Sequence, residues 1–260
     1  MSENTILSDV EGGILTLTIN RPKQLNALNS QVIAALSKEI VEAQSNDDVR
    51  IIILTGSGEK AFVAGADIKE FADFDPQQGK DLAALGQAIL FDRVERSAKP
   101  VIAAVNGFAL GGGLELAMSA HVRVASTNAK LGLPEVGLGV IPGYGGTQRL
   151  AQLVGKGKAM ELVLTASMIG ADEAHSLGLV NYAVEQDNLL NTAKGLAKKM
   201  MKNAPTALTA AIKTVIAGYT DGVDGYSIEI EQFGLCFGTE DFKEGTTAFL
   251  EKRKAEFPGK

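Results

Sequence analysis

The sequence predicts an α/β protein in which strands alternate with helices early and helices alone follow late. Three observations predict this. Short apolar runs rich in β-branched residues, at 13–20, 50–55 and 101–105, are separated by stretches with helical spacing. From about Thr147 onward every segment reads as helix. No Pro/Ser-rich linker, low-complexity tract or charge block interrupts the chain. A soft boundary near residue 190 then separates a core over 1–190 from a helical region over 191–260.

The elements follow in order. Residues 13–20 alternate and are β-branched, which reads as a strand ended by Arg21-Pro22. Residues 30–43 carry apolar side chains at helical spacing, with Ser30 as the expected cap. The run 50–55 reads as a buried strand closed by Gly56-Ser57-Gly58. A helix is predicted over 78–96, ended by Lys99-Pro100. Residues 101–105 form another buried strand. A helix then opens near Gly112 and Gly113, with a short strand around 121–125. Later helices are predicted over 147–154, 156–166, 171–177, 187–202, 205–218, 223–237 and 239–255.

Composition narrows the function. The chain has 260 residues, 45% hydrophobic and 22% charged, as in ordinary soluble domains. A net charge of −6 argues against nucleic-acid or anionic-membrane binding through overall charge. The stretch 100–120 is the nearest approach to a membrane span, but Asn106, Glu115 and its glycines make it buried core. Cys236 is the sole cysteine, so no intrachain disulfide forms, in keeping with a reducing compartment. The first residues lack a basic and apolar leader, which predicts a cytoplasmic protein, bacterial or a processed organellar form. His121, His175 and Cys236 have no zinc-ligand spacing, and no metal is expected. Both histidines and the cysteine read as structural.

Two lone glutamates stand out. Between Pro100 and Val122 the only charged residue is Glu115; between Leu131 and Gln148 it is Glu135. Burying a carboxylate is costly unless it is paired or neutralised. In apolar surroundings its proton affinity rises, which suits proton transfer near neutral pH. Bland readings stand beside these: Glu115 as a complement to a helix dipole, Glu135 as the partner of Arg149 in a buried salt bridge. The small residues Ala64-Gly65-Ala66-Asp67-Ile68 offer either an Ala66 N–H for a ligand oxygen or a turn capped by Asp67. Gly111-Gly112-Gly113 at a helix start leaves N–H groups open to an anion. Residues 137–146 form a glycine-studded loop suited to lining a cavity. Two N–H donors and two carboxylates together suit a carbonyl whose oxygen gains negative charge, such as a thioester becoming an enolate.

These motifs resemble the enoyl-CoA hydratase (crotonase) family. The resemblance is carried by Asn20-Arg21-Pro22 with Asn26-Ala27-Leu28, the run 61–70, Asn106-Gly107, residues 111–115, Pro134-Glu135 and the run 141–150, in family order. It implies a crotonase-like spiral of ββα turns with a C-terminal helical region that builds a trimer or a dimer of trimers. It also implies an acyl-CoA thioester substrate, with no separate cofactor. By this matching Ala66 and Gly112 supply the oxyanion-hole N–H groups. The backbone around Ala64–Ile68, Asp67 included, is expected to receive the adenine, with Lys23 and Ala27 near the pantetheine and phosphates and Lys69 also in the CoA site. Phe71, Leu114, Leu138 and Gly143 are expected around the acyl chain.

Fold alone does not settle chemistry on this scaffold. Hydratases of the family keep glutamates at both positions, so the resemblance implies reversible addition of water to a trans-2-enoyl-CoA. Glu115 is expected to act as base on the water and Glu135 as acid toward C2. The alternatives are a double-bond isomerase or other acyl-CoA lyase, and a non-catalytic or RNA-binding protein of the same fold. Leu133 departs from the pattern: mitochondrial short-chain hydratases carry a glutamine there, a polar partner for the carboxylate pair.

Overall fold

Two antiparallel strands, β1 (Ile6–Glu11) and β2 (Ile14–Ile19), begin the computed structural model, which describes residues 4–260. Helix α1 (Ser30–Ser45) follows. A unit then recurs: a strand in one sheet, a short strand in a second sheet, then a helix. The first unit is β3 (Ile51–Gly56), β4 (Ala61–Val63) and α2 (Pro76–Gly86). Helix α2 continues through a π turn at Gln87–Phe91 into α3 (Asp92–Glu95). The second unit is β5 (Val101–Val105), β6 (Phe108–Leu110) and α4 (Gly112–Ser119). The third is β7 (Val122–Ser126), β8 (Lys130–Gly132) and α5 (Gly146–Val154). Then come α6 (Lys156–Thr165), β9 (Met168–Gly170), α7 (Ala171–Ser176), β10 (Tyr182–Val184), α8 (Leu189–Met200), α9 (Pro205–Ala217), α10 (Gly225–Cys236) and α11 (Glu240–Glu251).

The larger sheet runs β1-β2-β3-β5-β7-β10 and is parallel from β2 onward. Its central strands β3 and β5 are buried at every residue and mostly apolar because both faces are covered. Leu15, Leu17, Ile52, Leu54, Val101 and Ala103 face the main core. Their neighbours Ile14, Ile51, Ile53, Ile102 and Ala104 pack instead with Leu189, Ala193 and Ala197 of α8. The smaller sheet, β4-β6-β8-β9, is parallel through β8. The expected spiral is this repeat: each turn lays one strand in each sheet.

The motif asparagines hold the turns together. Asn106 Oδ1 accepts from the Gly56 N–H (3.0 Å), and its Nδ2 donates to the carbonyls of Gly56 and Gly58 (2.9 and 2.6 Å). Asn26, fully buried at φ +59°, donates from Nδ2 to the carbonyls of Ser57 and Ala61. Side-chain amides here replace ladder bonds where the chain passes from one sheet to the other.

Some expectations change. The cap of α1 is Asn29, whose side chain accepts from the Val32 N–H (2.9 Å). Ser30 is the first helical residue, and its N–H and hydroxyl both donate to Glu70. Helix α2 starts at Pro76 behind an Asp75–Gln78 capping box. Strands β1, β4, β6, β8, β9 and β10 escape sequence reading: β1 exposes most of its residues, and three-residue strands show no period. Cys236 is half-buried on α10 rather than in the core. Among the described residues no helix is long and apolar enough to cross a membrane.

Candidate active site

Three loops leave the carboxyl ends of β4, β6 and β8. Because those strands are parallel, the loops emerge on one edge of the small sheet. Crevices at such edges are where α/β sheets bind ligands. The loops carry Ala66, Gly112 and Glu135 respectively. All three line one cavity of about 350 Å³, with Glu115 from α4.

The turn at Ala66 is set by a bridge to Leu28. The Leu28 N–H donates to the Gly65 carbonyl (2.9 Å) and the Asp67 N–H to the Leu28 carbonyl (2.7 Å). In a parallel bridge this leaves the Ala66 N–H directed away from Leu28, and it meets no acceptor among the described residues. Gly112 is the first residue of α4, where no intrahelical acceptor exists; its N–H is likewise unspent. Gly111 turns the chain into the helix at φ +51°, a conformation that favours glycine. Gly113 lies so close to β4 that a Cβ would collide with the Val63 carbonyl.

Glu115 is 1% exposed. Its Oε1 accepts from the N–H groups of Tyr144 (2.7 Å) and Gly146 (2.8 Å), leaving Oε2 with no bond among the described residues. Burial pushes its carboxyl up to about 7; the charge of Glu135 adds to this, and the Gly146 and Tyr144 N–H groups oppose it. Burial also raises Glu135, against a smaller opposing effect of its own N–H. Glu135 Oε2 is buried without a hydrogen-bond partner among the described residues. Two carboxylates of raised proton affinity thus share a cavity with two unspent N–H donors. Such a set can exchange protons with a ligand while stabilising negative charge on its oxygen.

The salt-bridge reading of Glu135 fails. Arg149 pairs instead with Glu95 (2.7 Å) and Asp92 (3.2 Å) on α3, whose two carboxylates already occupy the guanidinium. Asp67 makes no cap bond; it pairs with Arg21 at 3.1 Å. His121 is structural: Nδ1 accepts from the Val101 N–H (2.9 Å), so Nε2 carries the proton that meets the Glu95 carbonyl (2.9 Å).

A family model described as enoyl-CoA hydratase/isomerase matches residues 9–260. The chain belongs to that family. It is 50% identical over 257 residues to a short-chain-enoyl-CoA hydratase of Clostridium acetobutylicum, covering 98% of each chain. It is 46% identical to a crotonyl-CoA hydratase of Syntrophomonas wolfei over the full length of both. A crystal structure of an enoyl-CoA hydratase from Bacillus anthracis superposes with a TM-score of 0.92 at 37% identity, over 99% of this chain and 100% of that one.

Within this enoyl-CoA hydratase/isomerase fold, Phe71, Leu138 and Gly143 line the cavity, and so do Ala64 and Ile68. Leu114 does not: it is core, because Gly112 and Glu115 share the cavity side of α4 and Leu114 points away. Leu133 is fully buried and also outside the lining. Ala27, Asp67 and Lys69 lie outside it too, and Lys23 borders a separate surface depression with Leu25 and residues 57–61. Tyr144 belongs to the loop expected to line the cavity, though no role was read for it, and sequence reading missed Leu82 and Ala83. Tyr144 stacks on Phe91 at 4.5 Å and 12°, and a Cβ on Gly86 would strike its ring. Leu82 and Ala83 come from α2, whose predicted helix carried no signal of which face it turns to the site.

Proposed function

We propose that this chain catalyses the reversible addition of water to trans-2-enoyl-CoA, giving 3-hydroxyacyl-CoA. The observation that carries the reading is the Glu115–Glu135 pair beside two unspent N–H groups in one apolar cavity. Glu115 takes a proton from water as the water oxygen bonds to C3. The C2=C3 electron pair moves toward the thioester, whose oxygen is held by the Ala66 and Gly112 N–H groups. Glu135 delivers its proton to C2. The product thus gains the water's oxygen and one of its protons together with the proton from Glu135, and the proton left on Glu115 returns to Glu135 through solvent. Because the pair is coupled, its titration belongs to both carboxyls.

The CoA portion would leave along the Ala64–Lys69 backbone, with Asp67 kept in place by Arg21, and Lys23 and Ala27 toward the pantetheine and phosphates. A trimer fits the helical end of the chain. Tyr226, Ile230, Phe233 and Phe237 lie at helical spacing along α10 and into its C-terminal end and are exposed, as are Phe249 and Leu250. Apolar patches of this kind mark interfaces, and the partner inferred is a second and third copy of the chain in a cytoplasmic enzyme. Sedimentation of the wild type and of Phe233→Asp tests this; a monomeric wild type would remove it.

The activity is tested by adding protein to crotonyl-CoA and following the enoyl-thioester absorbance. Rapid loss that Glu135→Gln abolishes is the expected result. No loss on crotonyl-CoA or on longer and branched enoyl-CoAs would sink the reading.

A further inference from the structure

We propose that Arg149 is a positioning residue for this chemistry: by gripping the Tyr144 carbonyl it fixes the turn whose N–H groups seat the Glu115 carboxylate. The inference rests on the hydratase reading and deepens it.

Arg149 is 6% exposed and does not line the substrate cavity, so it reaches the reaction only through other groups. Its Nη1 donates to the Tyr144 carbonyl at 2.7 Å. Its Nε and Nη2 donate to the two oxygens of Glu95 at 3.1 and 2.7 Å, and Nη2 also donates to Asp92. A planar fork with both edges engaged cannot swing. Gly145 makes the approach possible, because at φ +87° a Cβ there would collide with Nη1. On the opposite side of the same turn, the Tyr144 and Gly146 N–H groups both donate to Glu115 Oε1. Tyr144 is therefore held at three points: its ring by Phe91, its carbonyl by Arg149 and its N–H by Glu115. The charge of Arg149 further favours the ionised form of Glu115.

Removing the guanidinium frees the Tyr144 carbonyl and loosens both donors to Glu115. The carboxylate then holds its proton more tightly, and the base is lost at pH values where the wild type still works. Behind Arg149 lies a second cavity of about 450 Å³, bordered by Glu95, His121, Arg123 and Tyr219. A small guanidinium ion can enter there and take the vacated place.

The test compares kcat/KM against pH for wild type, Arg149→Ala and Arg149→Lys, with and without methylguanidinium, beside the Kd for butyryl-CoA. In Arg149→Ala the acid limb should move up by about one pH unit, with roughly tenfold less activity below it. KM and the butyryl-CoA Kd should stay within about twofold, since uniform binding is untouched. Methylguanidinium should move the limb part of the way back. Arg149→Lys keeps the charge without the fork and should shift the limb in the same direction. It carries the comparison if Arg149→Ala does not fold. A folded variant whose acid limb matches the wild type overturns the inference alone. A wild type inactive on every enoyl-CoA overturns the hydratase reading itself.

Discussion

A side chain at Gly111 would touch the Glu135 carboxylate: a Cβ there would stand 2.7 Å from Oε1. The glycine sits at φ +51°, ψ −124°, just ahead of α4. One residue thus admits a turn that L side chains rarely adopt and leaves room for the carboxylate.

Gly111→Ala should therefore separate stability from activity. The colliding atom is the end of a flexible side chain, so the fold loses mainly the backbone strain, about 1–3 kcal/mol. Turnover should fall by at least about tenfold, because the carboxylate must move. Thermal melts and steady-state kinetics on crotonyl-CoA check both; an active, destabilised variant would contradict the packing argument.

Glu115→Gln and Glu135→Gln should each lower kcat by about 10²–10⁴-fold, the range of general acid–base catalysis. The Kd for butyryl-CoA, which cannot react, should stay within about threefold. Turnover near that of the wild type in either variant would remove the assigned role.

The rate should rise with pH through about 7 as Glu115, raised by burial, loses its proton and becomes a base. Glu135 is also raised, so it keeps a proton to donate at a pH where an ordinary carboxyl could not. A bell-shaped kcat/KM profile is expected. An acid limb near 4.5 would show that Glu115 is not the base.

The same burial makes Glu115 costly to the fold. Its carboxyl goes from an ordinary 4.5 to about 7. Between those values the folded protein holds a proton that the unfolded chain has released. Stability from this group is full below about 4.5, falls as pH rises to about 7 and stays lost above it. Glu115→Gln keeps an acceptor for Tyr144 and Gly146 without a charge to bury. It should exceed the wild type in stability at pH 8 by up to about 3 kcal/mol, and the gain should vanish near pH 4.5. Denaturant titrations at both pH values check this, with an equal gain at each counting against it.

Asn106→Ala should damage the fold and spare the chemistry. It strands the buried Gly56 N–H and the carbonyls of Gly56 and Gly58, a loss of about 2–4 kcal/mol. The protein that remains folded should keep its kcat. A selective loss of kcat without loss of stability would place Asn106 in the reaction instead.

The site was legible in the sequence where an anomaly marked it. Glu115 and Glu135 stand alone in uncharged runs, and burying such a charge is expensive enough to signal use. Gly111 and Gly113 were legible as glycines a helix start would not otherwise accept. Arg149 was legible only as a charge near Glu135; its true partners, Glu95 and Asp92, lie more than fifty residues upstream on α3. Tyr144 was legible only as part of a cavity-lining loop, because its stacking on Phe91 depends on a π turn that leaves no mark in periodicity.

By itself the sequence determined the two lone carboxylates and the glycine run that mark the cavity, the alternation of strand and helix and the late helical region, because local spacing, burial cost and backbone freedom are properties of neighbouring residues. Only the tertiary structure decided that the loops after β4, β6 and β8 open on one edge, and that α8 belongs to the sheet it covers. It alone decided that Arg149 braces the seat of Glu115 rather than neutralising Glu135. Those relationships join residues far apart in the chain, and nothing in local composition selects one long-range partner over another until the two sheets are packed.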